Sequence, residues 1–227
     1  MKNFLICFLF SLSVFSQKSG LISYGVLLPD YRNNNEQSNE LLIQAKEQAE
    51  KNTYVLEFNS TQSHFFMKNK MEEADGKNEF LNGIVFIIAG FSNYYDKVKG
   101  ISINENMQGI LLADKYPVKN WQVTSETRKI DNYLCYKAFY SENNKKAGKD
   151  RLKKVTAWFA PSLPYSYGPN SYNGLPGLVL ELLDEETKKL YFVKSIELKD
   201  ESIEIKFPKG KILTQEEYMS KANNFYR

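Results

Sequence analysis

Residues 170–183 read NSYNGLPGLVLELL, and in this stretch two turn signals run directly into an apolar strand. The Asn-Gly pair at 173–174 is the first turn signal. In the second, LPGL at 175–178, proline presets the second position of a type II turn, and we expect the glycine to take the positive φ required at the third. The following residues, 178–183, are apolar except at Glu181, which predicts a central strand covered on both faces.

Glycines at such a turn also allow another backbone or a ligand to approach closely. The chain enters the turn through a loop rich in aromatic residues and proline. The aromatic residues around the turn are Trp158, Phe159, Tyr165, Tyr167 and Tyr172. Rings on a loop can form a binding surface, because they give a large contact area at low entropic cost. They can equally be the lid of the core, so we treat these five as candidate binding residues and leave both interpretations open.

The first sixteen residues predict a leader rather than a part of the fold. Lys2 is followed by an apolar run at 4–15, which is too short to span a bilayer as a helix. Small residues at the right offsets favour cleavage after Ser16. We therefore expect residues 1–16 to be a signal peptide and residues 17–227 to form one exported domain, periplasmic or extracellular.

Composition restricts the function classes of this expected mature chain. Loss of Lys2 lowers the formal charge from +3 to +2, and the evenly mixed signs predict no nucleic-acid partner. Cys135 is then the sole thiol, so no internal disulfide is available and the core must stabilise the fold. No later run is long and apolar enough to predict a transmembrane segment.

Periodicity predicts two helices. The better candidate is Glu36–Lys51, where Leu41, Ala45 and Ala49 share one face. A second, shorter helix is predicted to close the chain, because TQEE at 214–217 fits a capping box. Between them, the apolar segment 84–89 fits either a buried strand or a short helix.

Most other segments alternate between apolar and polar residues, as strands do. Predicted strands lie at 54–58, 121–126, 133–140, 155–160 and 203–207. Short polar connections favour antiparallel pairing, because parallel crossovers need a dozen or more residues. The predicted fold class is mainly β (α+β): a large curved antiparallel meander or half-barrel with a helix near each end packed on it.

Motifs for catalysis are missing from the sequence, including the nucleophile elbow, the zinc-protease helix and the phosphate-binding loop. His64 is the single histidine and lies in a strand-like run without a nucleophile elbow, so we expect a structural or surface histidine. Cys135 alternates within an aromatic strand, which is typical of a buried apolar cysteine. We therefore expect no catalytic residue, no metal ligands and no cofactor. A hydrolase using two converging carboxylates stays open as an alternative.

The run TAWFAPSLPYSYGPNSYNGLPGLVLEL at 156–182 strongly resembles the signature of the GLPGLI family, exported proteins found mainly in Bacteroidetes. An upstream block, WQVTSETRKIDNYLCYKA at 121–138, is similar to the family's second recurrent block, although Asp-Asn replaces the usual glycine turn. The hexapeptide itself consists here of Gly174, Leu175, Pro176, Gly177, Leu178 and Val179, with valine in place of the final isoleucine.

This resemblance implies export but no established biochemical activity. The layout is also similar to LolA/LolB-like periplasmic lipoprotein carriers, in which a curved sheet encloses an apolar cavity closed by helices, although a fold analogy is a weak guide to function. We therefore expect a non-enzymatic binding or carrier protein of the cell envelope, with a lipid-like ligand or an envelope protein as its partner. The alternatives are an acid-residue hydrolase and a structural envelope component with an exposed sheet edge.

Overall fold

The computed structural model describes residues 18–31, 36–68, 76–90, 92–106, 109–115, 119–146, 149–214 and 216–220. The predicted leader at 1–16 lies outside these residues. The helices are α1 (Glu36–Lys51) and α2 (Gly76–Ala89), and a 3-10 turn covers Pro169–Ser171. The strands are β1 (Ser19–Leu27), β2 (Thr53–Asn59), β3 (Gln62–Lys68), β4 (Ser92–Asp96), β5 (Ile101–Glu105), β6 (Leu111–Lys115), β7 (Gln122–Ile130), β8 (Tyr133–Lys146), β9 (Lys149–Ala160), β10 (Leu178–Asp184), β11 (Lys189–Lys199) and β12 (Ile212–Thr214).

The strands form one sheet in the order β12-β6-β5-β4-β3-β2-β1-β11-β10-β9-β8-β7. Two meanders, β1 to β6 and β7 to β11, are joined side by side where β1 pairs antiparallel with β11, from Ser19 opposite Lys199 to Leu27 opposite Leu190. All neighbouring pairs among these described strands are antiparallel except β12 with β6. The mainly β class is confirmed, with two joined meanders instead of one and a parallel strand at one edge.

The sheet must curl, because two strands close in sequence lie far apart in the strand order. Ten strand spacings separate β6 from β7, which would be about 48 Å in a flat sheet. Only seven residue steps lead from Lys115 to Gln122, and an extended chain of that length spans at most about 25 Å. The short connection is therefore compatible only with a strongly curved sheet.

One face of the sheet, which we call the inner face, carries the main core. Its alternating side chains include Tyr24, Tyr54 and Phe58, none of which is exposed. The helices cover this face: the hydroxyl of Tyr54 donates to the Ala49 carbonyl of α1 at 3.1 Å, and the hydroxyl of Tyr191 donates to the carbonyl at the end of α2. Helix α1 has its predicted bounds, and the alanines of its predicted apolar face are buried.

The segment 84–89, which fitted either a buried strand or a short helix, belongs to α2. One predicted strand is absent from the position where alternation suggested it. Residues 203–207 pair with no strand, although their burial does alternate. They lie across the opposite, outer face, where Ile205 joins a small buried cluster with Tyr94 and Ile103. The prediction of a strand at 203–207 was wrong. An alternating sequence pattern indicates only that every second side chain is buried, and an extended segment can bury every second side chain without pairing with a strand.

The predicted capping box is confirmed. The Thr214 amide donates to Glu217 Oε2 at 2.8 Å, and the Glu217 amide donates to Thr214 Oγ1 at 3.2 Å. Residues 216–220 are helical. Within the described parts of the chain, no helix has the length and apolar character needed to cross a bilayer.

Candidate functional site

The loop at 161–177, which connects β9 to β10, folds over the inner face and reaches β3 and β4. Its two central tyrosines pack against Phe58 of β2, with ring centroids 4.7 Å away for Tyr165 and 6.0 Å for Tyr167. Tyr167 also meets the ring of Tyr95 on β4 edge-on at 6.2 Å. Aromatic contacts therefore attach the loop to strands from the other meander.

The glycines of the hexapeptide have two different roles. Gly174 adopts a φ of 102°, as its turn signal suggested. Gly177 does not adopt a positive φ, so the predicted type II turn is wrong at this position. A Cβ on Gly177 would lie 2.3 Å from the Ala160 carbonyl oxygen and 2.9 Å from the Pro161 nitrogen. Close backbone approach, the other use of glycine that we considered, is what requires Gly177.

Asn173 fixes the shape of the turn from inside. Its side chain is buried, and its Oδ1 accepts a hydrogen bond from the Gly168 amide at 3.0 Å. Its backbone carbonyl accepts from Trp121 Nε1 at 3.0 Å. The next amide, that of Gly174, donates to the Ser166 carbonyl at 2.9 Å. These bonds tie the loop both to itself and to the start of β7.

We expect Asn173→Ala to lower the free energy of unfolding by about 1–3 kcal/mol, because the buried Gly168 amide would lose its acceptor. Urea denaturation at equilibrium measures the loss. The matched control is Asn143→Ala on β8, an exposed asparagine, which should change stability by no more than about 0.5 kcal/mol. Equal losses in both variants would contradict this account.

The five predicted binding residues do not lie on one surface. Phe159, Tyr167 and Tyr172 are buried, with 2%, 1% and 5% of their surface exposed, and Tyr165 is half-buried. Trp158 lies on the outer face, where the guanidinium carbon of Arg128 is 4.2 Å from its ring. Of the hexapeptide, Gly174 and Pro176 are exposed, while Leu175, Gly177, Leu178 and Val179 are buried.

Tyr172 lies apart from the other loop tyrosines, among rings and lysines that we call the Tyr172 site. The Nζ atoms of Lys119 and Lys153 are each 5.3 Å from the centre of its ring. The Trp121 ring lies 6.4 Å from Tyr172 and 5.7 Å from Tyr140. The Tyr172 site comprises Trp121, Tyr140, Tyr172, Lys119, Lys153 and Lys189.

Two lysines of this site, Lys119 and Lys189, have lowered pKa values. Burial, with a smaller contribution from Lys153, lowers the pKa of Lys119 to about 8. Burial also lowers the pKa of Lys189 to about 8, against the opposing effect of Asp184 and with a further lowering by Lys153. Lys119 Nζ donates to the Ser171 carbonyl at 2.8 Å, so this ammonium also helps to hold the 3-10 turn.

Among the described residues, carboxylates lie near Lys153 and Lys189 without forming ion pairs with them. Glu142 is opposite Lys153 in the β8–β9 register, and Asp184 is opposite Lys189 in β10–β11. Asp184 Oδ1 accepts from the amides of Glu186 and Thr187, both at 3.1 Å. In the part of the chain that the structure describes, neither Lys153 nor Lys189 forms an ion pair. The site can therefore accept an anionic group beside apolar rings.

Sequence reasoning identified only Tyr172 of this site. The three lysines, at positions 119, 153 and 189, come from the segment before β7, from β9 and from β11, and no spacing links them. Trp121 was assigned to a strand and given no role in binding. Only the pairing of the strands could have indicated this site. The β8–β9 and β10–β11 registers place Lys153 and Lys189 at one end of the sheet.

Comparison with known proteins gives a match of part of the chain to the model of a family without an assigned activity, and a fold shared with solved structures. The family model "Protein of unknown function (Porph_ging)" matches residues 141–181, and no curated protein matches the chain. A solved structure described as "Structure of PNGF-II in P21 space group" is 15% identical with a TM-score of 0.57, covering 89% of this chain and 32% of that one. Its C2 counterpart is 16% identical with a TM-score of 0.53, covering 92% and 33%. The chain thus spans about a third of the length of these structures, and at such identities the likeness shows the fold alone.

Proposed function

We propose that this protein is an exported binding protein of the cell envelope, of the GLPGLI type, whose Tyr172 site takes a ligand with an anionic group on an apolar body. The observation that carries the proposal is the pair of lysine ammonium groups 5.3 Å from one tyrosine ring, Lys119 and Lys153. The resemblance at 156–182 and the expected leader support export.

The chemistry of the site favours a lipid-like anion. Among the described residues, Lys153 and Lys189 have half-buried ammonium groups without an ion-pair partner, and an incoming carboxylate or phosphate would relieve the cost of burying these charges. The rings of Trp121 and Tyr172 offer apolar surface beside the charge. An amphiphile satisfies both features, whereas a purely apolar molecule would offer no ion pair to Lys153 or Lys189.

We place the proposed ligand at the rim of the sheet and not in an enclosed cavity. Beneath the loop, the ring of Phe58 contacts the rings of both Tyr165 and Tyr167, and these contacts lie between the loop and β2. The Tyr172 site lies instead at the sheet end where Asp184 and Lys189 face each other. This arrangement differs from a lipoprotein carrier that encloses its cargo, so we expect the ligand's chain to extend outwards.

We expect Lys153→Ala to weaken binding of dodecyl phosphate about tenfold, since one lost charged contact costs about 1.4 kcal/mol. Isothermal titration calorimetry of residues 17–227 below the critical micelle concentration gives the affinity. Lys194→Ala is the matched control, because Lys194 lies on β11 and donates to the Asn52 carbonyl away from the site. Dodecyl maltoside is the uncharged control and should bind at least tenfold more weakly.

The same titration should show a pH dependence. Protonated Lys119 and Lys189 attract the anion, and both lose their protons near pH 8, so affinity should fall between pH 7 and pH 9. Lys153, Tyr172, Glu142 and Asp184 are the other ionisable groups that face them. Equal affinities for the phosphate and the maltoside, or an unchanged affinity in Lys153→Ala, would overturn the proposal.

A further inference from the structure

The outer face of β2, β3 and β4 holds the single histidine of the chain in a line of hydrogen bonds. His64 Nδ1 lies 3.0 Å from Glu57 Oε1, and His64 Nε2 lies 3.0 Å from Ser92 Oγ. The three residues come from adjacent antiparallel strands, with His64 directly opposite Glu57 in the register. Sequence inspection could not find this line, because its members are separated by 7 and 28 positions.

The two neighbours fix the tautomer of the neutral ring. A carboxylate can only accept hydrogen bonds, so the Nδ1 that faces Glu57 carries the hydrogen. The lone pair of Nε2 then faces Ser92, whose hydroxyl donates to it. In this protonation state an imidazole acts as general base towards a serine hydroxyl.

Aromatic stacking holds the imidazole in place. The ring lies 3.8 Å from that of Tyr94 at an angle of 8°, and 4.5 Å from that of Phe66 at 22°. The side chains of His64 and Glu57 are 13% and 27% exposed, so they are shielded from bulk water but accessible from one side. Ser92 is half-buried at the beginning of β4.

We propose that Ser92, His64 and Glu57 form a nucleophile, base and orienting group for acyl transfer from an ester. Ser92 Oγ forms a bond to the ester carbonyl carbon while its proton passes to His64 Nε2. The bond to the leaving alcohol then breaks, and that alcohol takes the proton from Nε2. Water attacks the acyl-serine by the same route and releases a carboxylic acid and free Ser92. Glu57 keeps the Nδ1 proton hydrogen-bonded throughout.

Tyr94 is placed to stabilise the charge that develops on the carbonyl oxygen. It lies two residues after Ser92 on the same face of β4, and its ring is parallel to that of His64. Burial raises the pKa of Tyr94, and interaction with the Ser92 side chain opposes this shift. Its hydroxyl therefore stays protonated at neutral pH and can donate to an oxyanion.

Labelling with a fluorophosphonate probe tests the nucleophile. Attack by Ser92 forms an oxygen–phosphorus bond and expels fluoride, so the intact mass of residues 17–227 should rise by one adduct, which peptide mapping should place on Ser92. Ser92→Ala should abolish the adduct. Ser23→Ala is the matched control, because Ser23 is a half-buried serine on β1, which β2 and β3 separate from β4, and it should leave labelling unchanged.

Hydrolysis of p-nitrophenyl butyrate tests the other two roles. His64→Gln and Glu57→Gln should lower kcat by about 10³- to 10⁴-fold. Because Glu57 positions the ring without touching the substrate, its variant should keep KM unchanged. If the hydrogen bonds between Glu57, His64 and Ser92 have only a structural role, the wild-type protein should form no adduct. Circular dichroism verifies that the protein tested is folded. The absence of an adduct, an adduct elsewhere, or equal labelling of His64→Gln would overturn the proposal.

Discussion

Replacing Phe58 with alanine is expected to lower the free energy of unfolding by about 3–5 kcal/mol, the range typical of a fully buried phenylalanine. The ring has no exposed surface and contacts Tyr165 and Tyr167 of the loop. Truncation would leave a cavity between β2 and the loop, and the loop would lose two of its aromatic contacts with the first meander. Chemical denaturation followed by tyrosine and tryptophan fluorescence measures the change.

The control is Phe80→Ala on α2, whose ring is 63% exposed. It removes the same atoms from the surface, so we expect a change within about 0.5 kcal/mol. A loss in Phe58→Ala as small as in the control would mean that the loop is not held by this ring. The contacts of Tyr165 and Tyr167 with Phe58 would then contribute little to the stability of the fold.

Gly177→Ala is expected to cost about 3 kcal/mol, at the upper end of the range for insertion into a well-packed site. The added methyl group would meet the backbone of Ala160 and Pro161, which cannot rotate away as a flexible side chain can. Either β10 separates from the loop or the end of β9 shifts. The unfolding midpoint in urea, taken with the slope, reports the loss.

Gly100→Ala is the control that separates the free-energy cost of steric crowding from the cost of an unfavourable backbone conformation. Gly100 has a φ of 63° and no neighbour within 4 Å of an added Cβ, so its substitution should cost only about 1 kcal/mol, the penalty of a left-handed backbone. Gly177 has the opposite combination, a crowded site without positive φ. If Gly100→Ala lowered the free energy of unfolding as much as Gly177→Ala, the close approach of the Ala160 and Pro161 backbone would not be the reason for glycine at position 177.

The sequence correctly predicted the structural elements that depend on interactions between residues close together in the chain. Helix α1 begins and ends where its periodicity does, and the reciprocal bonds of Thr214 and Glu217 follow from spacing alone. Gly177 was assigned to the wrong conformation because proline-glycine signals a turn without revealing what packs against it. The Tyr172 site was mostly missed, because Lys119, Lys153 and Lys189 meet only through strand register.

The pairing of β1 with β11 has a consequence for the time course of folding. Ser19 pairs with Lys199 across 180 positions of sequence, so the strand in the middle of the sheet receives one of its two neighbours only after nearly the whole chain is available. Contacts of such long range make folding slow, because the entropy of a large loop is lost before the pairing is gained. Until then each meander presents an unpaired edge, where other chains can add. The late pairing of β1 with β11 therefore makes early folding intermediates prone to aggregation. It also means that the sheet is completed late in the folding of the whole chain.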